Sequence, residues 1–187
     1  FIDPDPDPAI SYKERQRLFE RPGSSWDDYD RSLLSEGGGI YPRSLKSIEL
    51  SDAAVKVLGL SKNRFTSLTL INALLRAPAE LIWNGGIGTY IKASSESHAD
   101  VGDRHNDSIR ISASELRAKV IGEGGNLGVT QLARIEYAKL GGMCNTDSID
   151  NSAGVDCSDH EVNIKILLNA AMGSGVLDMV GRNKLLL

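Results

Sequence analysis

The sequence predicts an α/β fold in which helices cover both faces of a mostly parallel sheet. Short runs that are apolar throughout alternate along the chain with segments of helical periodicity. Strands of this kind are typical of parallel sheets buried on both sides. The turns that follow them are rich in glycine and asparagine. Because ligands of open α/β sheets bind beyond the carboxyl ends of the strands, these turns are where we expect a ligand site.

The first eighty residues are expected to contain a strand end, four helices and one short strand. The opening "FID" is typical of the end of a buried strand, because the Asp-Pro alternation through Pro8 prevents its continuation. Ser51 can cap a helix that Gly59 terminates, and Pro78 ends a longer apolar helix. The segment "KSIEL" alternates like a short strand. The predicted helices span residues 11–19, 24–34, 52–58 and 66–77.

The rest of the chain alternates strands with helices. Strands are predicted at 79–83, 118–122 and 143–147. The polar segment 92–108 is expected to be a loop, and Ser112 with Glu115 has the spacing of a capping box. Ser158 with Glu161 has the same spacing and is expected to begin a helix that ends near Met172. A helix over 129–140 would place five residues on one face: Val129, Leu132, Ala133, Tyr137 and Leu140.

Length, charge and cysteine content exclude several classes of protein. A chain of 187 residues suits one domain. A net charge of −4 with scattered Lys and Arg argues against binding to nucleic acid or to an anionic membrane surface. We find no membrane span or signal peptide, and two cysteines are too few for a disulfide framework, so we expect a cytoplasmic setting. The chain opens at an apparent strand end and closes in "NKLLL", which predicts a piece of a longer protein.

The glycine-rich turn "GEGGNLG" (122–128) allows two interpretations. It nearly matches G-x-G-x-x-G, although Leu127 stands where the third glycine belongs. As a phosphate loop it would cradle a pyrophosphate at the start of the following helix, with Asp147 as the acid that binds the ribose. Alternatively, its glycines serve only tight packing. The turn "WNGGIGT" (83–89) has the same two interpretations, since Asn-Gly is also a common structural turn.

Two further segments carry groups capable of chemistry. In "DNSAGVDCSDHE" (150–161), Ser158 could present a hydroxyl and a helix N-terminus to a carboxylate ligand. A polar loop contains five side chains that could bind a metal in a metal-dependent hydrolase. Alternating His and Asp are more often solvated, so we expect no metal. These side chains are His98, Asp100, Asp103, His105 and Asp107.

Long collinear stretches resemble one enzyme family. "AKVIGEGGNLGVTQLARIEYAKLGG" and "NTDSIDNSAGVDCSDHEVNIKILL" resemble NAD-specific glutamate dehydrogenases of the large, multidomain bacterial type. "FIDPDPD", "SSWDDYDRSL" and "WNGGIGTYIKASSESHADVGD" are similar to the same family, so the resemblance covers nearly the whole chain. A looser resemblance reaches the small hexameric glutamate dehydrogenases. Their patterns "AEGAN" and "NAGGVxxSxxE" look like "GEGGN" (122–126) and "NSAGVDCSDHE" (151–161) in this chain.

The resemblance implies a fold, a reaction and a set of roles. The family converts L-glutamate, NAD and water into 2-oxoglutarate, ammonium and NADH, and the intact enzyme is expected to be a homo-oligomer. Asn126 and Asn151 would line the nicotinamide end of NAD, and Ser158 would contact the substrate carboxylate. The turn at Asn84, Gly85 and Gly86 would pass close to the dinucleotide. Asp3, at the end of a strand, would bind the adenine ribose in place of Asp147.

The resemblance also implies what lies outside this chain. Residues 1–187 would be a partial, Rossmann-like NAD-binding domain without its first strand and phosphate loop, and the helices from about residue 158 would pack at the cleft side. The catalytic Lys and Asp belong to the substrate domain, and no segment here matches them. We therefore expect this chain alone to be inactive and to bind NAD weakly. The alternative is a non-catalytic sensor or interaction domain with a nucleotide-binding fold.

Overall fold

The computed structural model describes residues 1–151 and 154–186, without the side chains of 155–158, and has a mixed α/β fold. Its helices are α1 (Pro8–Phe19), α2 (Asp52–Val57), α3 (Ser67–Leu74), α4 (His98–Val101), α5 (Gln131–Lys139), α6 (Asp147–Asp150), α7 (Gly154–Gly173) and α8 (Met179–Leu186). Its strands are β1 (Ile48–Glu49), β2 (Arg64–Phe65), β3 (Leu81–Asn84), β4 (Ile91–Lys92), β5 (Ile111–Ser112), β6 (Val120–Glu123) and β7 (Met143–Cys144).

A parallel sheet of three strands in the order β3-β6-β7 positions the candidate site. Leu81 pairs with Val120, and Ile121 pairs with Cys144. Because the strands are parallel, the turns that leave β3, β6 and β7 all lie at one edge of the sheet. This confirms the parallel sheet expected from the sequence. Two smaller sheets join β1 to β2 antiparallel and β4 to β5 parallel.

The main hydrophobic core lies between α5 and the strands β4, β5 and β6. It contains Ile91, Ile111, Ile121, Val129, Ala133 and Tyr137. A second cluster surrounds β1, α2 and α3, and a third packs Leu18 against Tyr29 and Ile40. Among the described residues, no helix is long and apolar enough to cross a membrane.

Several local expectations were wrong. Residues 24–34 form two 3₁₀ turns, because the side chains of Ser25 and Asp30 each accept from the amide two residues on and interrupt a continuous helix. The segment 92–108 is not a loop throughout, since it contains part of β4, α4 and a 3₁₀ turn. On the predicted face of α5, Leu132 and Leu140 are exposed. The last strand, β7, ends at Cys144, and Asp147 instead begins α6.

The capping box at Ser112 is confirmed, but Ser158 does not begin a helix. Ser112 and Glu115 cap a 3₁₀ turn as the spacing predicts. Helix α7 begins at Gly154, so Ser158 lies inside it and is not its N-cap. The side chain of Ser158 is outside the described part of the chain.

Tyr137 joins α5 to the start of β6 and provides a test of this packing. Its buried hydroxyl donates a hydrogen bond of 2.8 Å to the carbonyl oxygen of Ala118. We expect Tyr137→Phe to lower the free energy of unfolding of the chain by about 1–2 kcal/mol, because the buried carbonyl loses its donor. Tyr12→Phe is the matched control, since Tyr12 is 67% exposed. Urea unfolding measures both variants, and equal stability of the two would contradict the assignment.

Candidate functional site

The two glycine-rich turns lie against each other at the carboxyl edge of the sheet. We call residues 84–88 and 124–128 the paired loops. The carbonyl oxygen of Asn84 accepts hydrogen bonds from the amides of Gly124 (2.8 Å) and Gly125 (3.1 Å). A Cβ atom at Gly125 would overlap the carbonyl oxygen of Gly86, and one at Gly128 would overlap the side chain of Asn84. The glycines at 125 and 128 are therefore needed for close approach of the two loops.

The structure brings together the two asparagines that the sequence singles out. The Nδ2 atom of Asn151 donates a hydrogen bond of 2.9 Å to Oδ1 of Asn126. Asn126 lies in the loop after β6 and is exposed, and Asn151 lies at the C-terminus of α6. Each primary amide has two N–H donors and an oxygen with two lone pairs, so the pair has hydrogen-bonding capacity beyond this bond. It can present both a donor and an acceptor to a planar polar group.

A buried ionic network lies beneath this amide pair. Glu123 is 1% exposed and Arg134 is 6% exposed. Nη2 of Arg134 lies 2.8 Å from Oε1 of Glu123 and 3.0 Å from Oδ1 of Asp147. We call these three residues the Glu123–Arg134–Asp147 triad. It links β6, α5 and α6 through one guanidinium group.

The triad also receives the amides of the glycine-rich loop. The amide of Gly128 donates to Oε2 of Glu123 at 2.7 Å, and the amide of Leu127 donates to Oδ2 of Asp147 at 2.9 Å. Leu127 has a left-handed backbone, with a φ of 52°. It therefore adopts a conformation that favours glycine, at the position where the phosphate motif has one.

The loop consequently does not offer its amides to a phosphate. Four of the amides between 124 and 128 donate within the protein, two of them to Asn84 and two to carboxylates of the triad. A phosphate loop needs these N–H groups aimed at the ligand. The nearby negative charges of Glu123 and Asp147 would in addition repel a phosphate.

Asp147 has a structural role in this arrangement, since both of its carboxylate oxygens accept hydrogen bonds from the protein. Burial alone would raise the pKa of Asp147, but the hydrogen bond from Leu127 and the charge of Arg134 outweigh it. The pKa therefore lies below its ordinary value, and the group is ionised at neutral pH.

Asp3 lies beside a different cavity. It follows Ile2, which forms an antiparallel bridge with Gly39. Oδ1 of Asp3 accepts hydrogen bonds from the amide and the hydroxyl of Ser35. Its Oδ2 atom is buried and has no hydrogen-bond partner among the described residues. A cavity of about 720 Å³ is lined by residues of 4–5, 35–37 and 51–57, which include the neighbours of Asp3 but not Asp3 itself, and it includes none of the paired loops.

The polar segment with histidines and aspartates is organised around a buried arginine. The side chain of Arg110 is fully buried and contacts Asp107 at 2.6 Å, the carbonyl oxygen of Thr89 at 2.8 Å and Nδ1 of His98 at 3.0 Å. Within the described residues, no group of three or more His, Cys, Asp or Glu is arranged to hold a metal ion.

The sequence interpretation missed three residues of the site. Glu123 and Arg134 form the centre of the triad, and Asp150 accepts from the amide of Glu123 at 3.0 Å through Oδ2. The sequence does contain a signal for Arg134. It lies between Ala133 and Tyr137, which both belong to the buried face of α5. A charge so close to an apolar face is often paired.

The chain has a mixed α/β fold, and its candidate site lies at the carboxyl edge of a parallel sheet. Residues 1–187 match the family of the bacterial NAD-glutamate dehydrogenase catalytic domain, and the chain belongs to this family. It is 59% identical to the NAD-specific glutamate dehydrogenase of Pseudomonas aeruginosa and 58% identical to that of Mycobacterium tuberculosis. The corresponding protein of Halomonas elongata is 54% identical. Each comparison covers the whole chain, which spans 12% of the length of each relative.

The contact between the paired loops gives a testable prediction. We expect Gly125→Ala to destabilise the chain by about 1–3 kcal/mol, because the new Cβ must displace the backbone of Gly86. Gly173→Ala is the control, since a Cβ atom there meets no atom within 4 Å. Thermal unfolding compares them, and amide hydrogen exchange should rise in both paired loops of the first variant alone. Unchanged exchange in residues 84–88 would contradict the contact.

Proposed function

We propose that this chain is the NAD-binding part of an NAD-dependent glutamate dehydrogenase, and that Asn126 and Asn151 hold the nicotinamide end of the cofactor. The observation that carries the proposal is the hydrogen bond of 2.9 Å between these two side chains at the carboxyl edge of the parallel sheet. Family membership supports the reaction class, and the names of the relatives support NAD as cofactor.

The amide pair fits the carboxamide of a nicotinamide ring. A carboxamide offers one acceptor oxygen and two N–H donors, and a pair of asparagines can match both. When bound, NAD supplies the carbon that accepts hydride from L-glutamate as 2-oxoglutarate and ammonium form. Asn126 and Asn151 would fix the orientation of the ring, so that one of its faces points towards the substrate. Asn84, Gly85 and Gly86 would lie along the dinucleotide, where the absence of side chains at the glycines permits close approach.

Asp3 is suited to bind the ribose of the adenosine half. A buried carboxylate oxygen without a partner is costly, and the hydroxyls of a ribose would supply the missing donor. The cavity of about 720 Å³ beside it is large enough for a nucleoside. Asp3 and the amide pair would then bind opposite ends of one extended cofactor.

The free edge of β3 supports a Rossmann-like sheet that is completed by another segment of the parent protein. Among the described strands, β3 pairs with β6 alone. Leu81 is 52% exposed and Trp83 is 60% exposed. Two mostly apolar cavities of about 250 and 200 Å³ share Arg43 and Ile71 and extend from β3 to residues 1–2. A further parallel strand would fill this groove and could carry the phosphate loop that the turn 122–128 does not provide.

The C-terminal helices are suited to pack at the cleft against the substrate domain. Apolar side chains of α7 are exposed, among them Val162, Ile166 and Leu167. Ser158, on the same helix, would contact the carboxylate of L-glutamate or 2-oxoglutarate. Since the catalytic Lys and Asp would come from the substrate domain, the chain alone would be inactive and bind NAD weakly. Homo-oligomeric assembly and a cytoplasmic setting stay predictions for the parent enzyme.

The role of Asn151 can be tested with a ligand that lacks the nicotinamide. In the parent enzyme, Asn151→Ala should lower kcat/KM for NAD by about tenfold or more, because the ring loses an orienting contact. Inhibition by ADP-ribose should be unchanged, since ADP-ribose has no ring to orient. Steady-state kinetics with ADP-ribose as a competitive inhibitor measures both quantities.

Asn63→Ala is the matched control for this variant. Asn63 is exposed and lies next to β2, outside the paired loops, and its replacement should change neither quantity. Unchanged kinetics in Asn151→Ala, or an equal loss of NAD turnover and ADP-ribose inhibition, would refute the assigned place at the nicotinamide.

A further inference from the structure

We propose that Arg134 and Asp147 are positioning residues that hold Asn126 and Asn151 in one arrangement. This inference rests on the proposed function, in which the two asparagines orient the nicotinamide. Neither Arg134 nor Asp147 would touch the cofactor. They would act through the loop after β6 and through helix α6.

Arg134 connects the elements that carry the two asparagines. Its Nε and Nη2 atoms donate to Oε1 of Glu123 at 3.2 and 2.8 Å, and Nη2 also donates to Oδ1 of Asp147 at 3.0 Å. Nη1 donates to Oε1 of Gln131 at 3.0 Å. All three nitrogens of the guanidinium therefore have acceptors. A lysine ammonium is a point charge on a flexible stem and cannot reproduce this planar set of contacts.

The two carboxylates that Arg134 joins fix the backbone directly after Asn126. Asp147 accepts from the amide of Leu127 at 2.9 Å, and Glu123 accepts from the amide of Gly128 at 2.7 Å. Leu127 is held in a left-handed conformation, which is unfavourable for residues other than glycine. The carboxylate contacts stabilise this turn, and the turn sets the direction in which the side chain of Asn126 points.

The same group of residues fixes Asn151 from the other side. Asp147 is the first residue of α6, and its carbonyl oxygen accepts from the amide of Asn151 at 2.7 Å. Asp150 accepts from the amide of Glu123 at 3.0 Å and thereby ties the end of α6 to β6. Both asparagines thus belong to one hydrogen-bonded unit with Arg134 at its centre. Loss of one contact in the unit should displace the amide pair.

The variant that separates positioning from folding is Asp147→Asn. Removing Arg134 would leave the buried carboxylate of Glu123 without its cation, and such a protein could fail to fold. Asparagine keeps the size of Asp147, but an NH2 group replaces one of the two oxygens, which accept separately from Leu127 and Arg134, so one of these donors would face another donor. The Asp147 side chain is 22% exposed, so water can reach the group that is left.

The experiment is a double-mutant cycle in the full-length parent enzyme with Asp147→Asn and Asn126→Ala. We expect each single variant to lower kcat/KM for NAD by about tenfold, because a small displacement of an orienting group has a large kinetic effect. The loss of kcat/KM in the double variant should be clearly smaller than the product of the two single losses, because Asp147 acts partly through Asn126 and partly through Asn151. If Asp147 only stabilised the fold, its loss would be independent of Asn126, and the two losses in kcat/KM would multiply in the double variant. If Asp147→Asn does not fold, Arg134→Lys replaces it in the same double-mutant cycle.

Asp100→Asn is the matched control. Its carboxylate also accepts from a backbone amide, that of Ser97 at 2.8 Å, but in α4, and its replacement should leave kcat/KM unchanged. If Asn126→Ala impairs turnover while Asp147→Asn has no effect or multiplies the loss, the positioning role is overturned and the proposed function stands. If Asn126→Ala leaves turnover unchanged, the proposed function is overturned and the positioning role with it.

Discussion

A carboxylate buried at the end of β6 determines how the candidate site is arranged. Removing the charge of Glu123 from water is costly unless a cation and hydrogen-bond donors replace the lost hydration. Arg134 on α5 supplies the cation, and the amide of Gly128 supplies a donor. Because the guanidinium also binds Asp147, the first residue of α6, the strand, the glycine-rich loop and two helices are fixed relative to one another. The amide pair of Asn126 and Asn151 lies on this unit.

This constraint distinguishes the two interpretations that the glycine-rich turn allows. As a phosphate loop, the turn would direct its amides outward to an anion. Instead, its amides bind Asn84 and the carboxylates of Glu123 and Asp147, and its glycines allow the backbone of the neighbouring loop to approach. The proposal for this turn is therefore an orienting role at the nicotinamide end of a dinucleotide. The phosphates would be bound by a segment that packs along the free edge of β3.

The strands of the parallel sheet could be predicted well from the sequence, because an apolar run bounded by a glycine-rich turn is a local feature of the composition. Strands predicted at 79–83 and 118–122 occur at Leu81–Asn84 and Val120–Glu123. Prediction from the sequence failed where short polar side chains accept hydrogen bonds from nearby backbone amides. Ser25 and Asp30 do so and interrupt the predicted helix. The resemblance singled out Asn126 and Asn151 as candidates, but their mutual contact spans 25 residues and depends on the sheet. The triad was missed because Glu123 was read as part of the glycine motif, and no local pattern pairs it with Arg134.

A structure of the parent enzyme with NAD bound, determined by cryo-electron microscopy or crystallography, tests the central claim most directly. The account predicts the carboxamide of the nicotinamide at about 3 Å from the side chains of Asn126 and Asn151, a normal hydrogen-bond distance. It also predicts a ribose hydroxyl on Asp3, with the Leu127 and Gly128 amides still bound to the triad. Pyrophosphate oxygens on the amides of residues 124–128 would contradict it, because the turn would then be the phosphate loop that its glycines suggest.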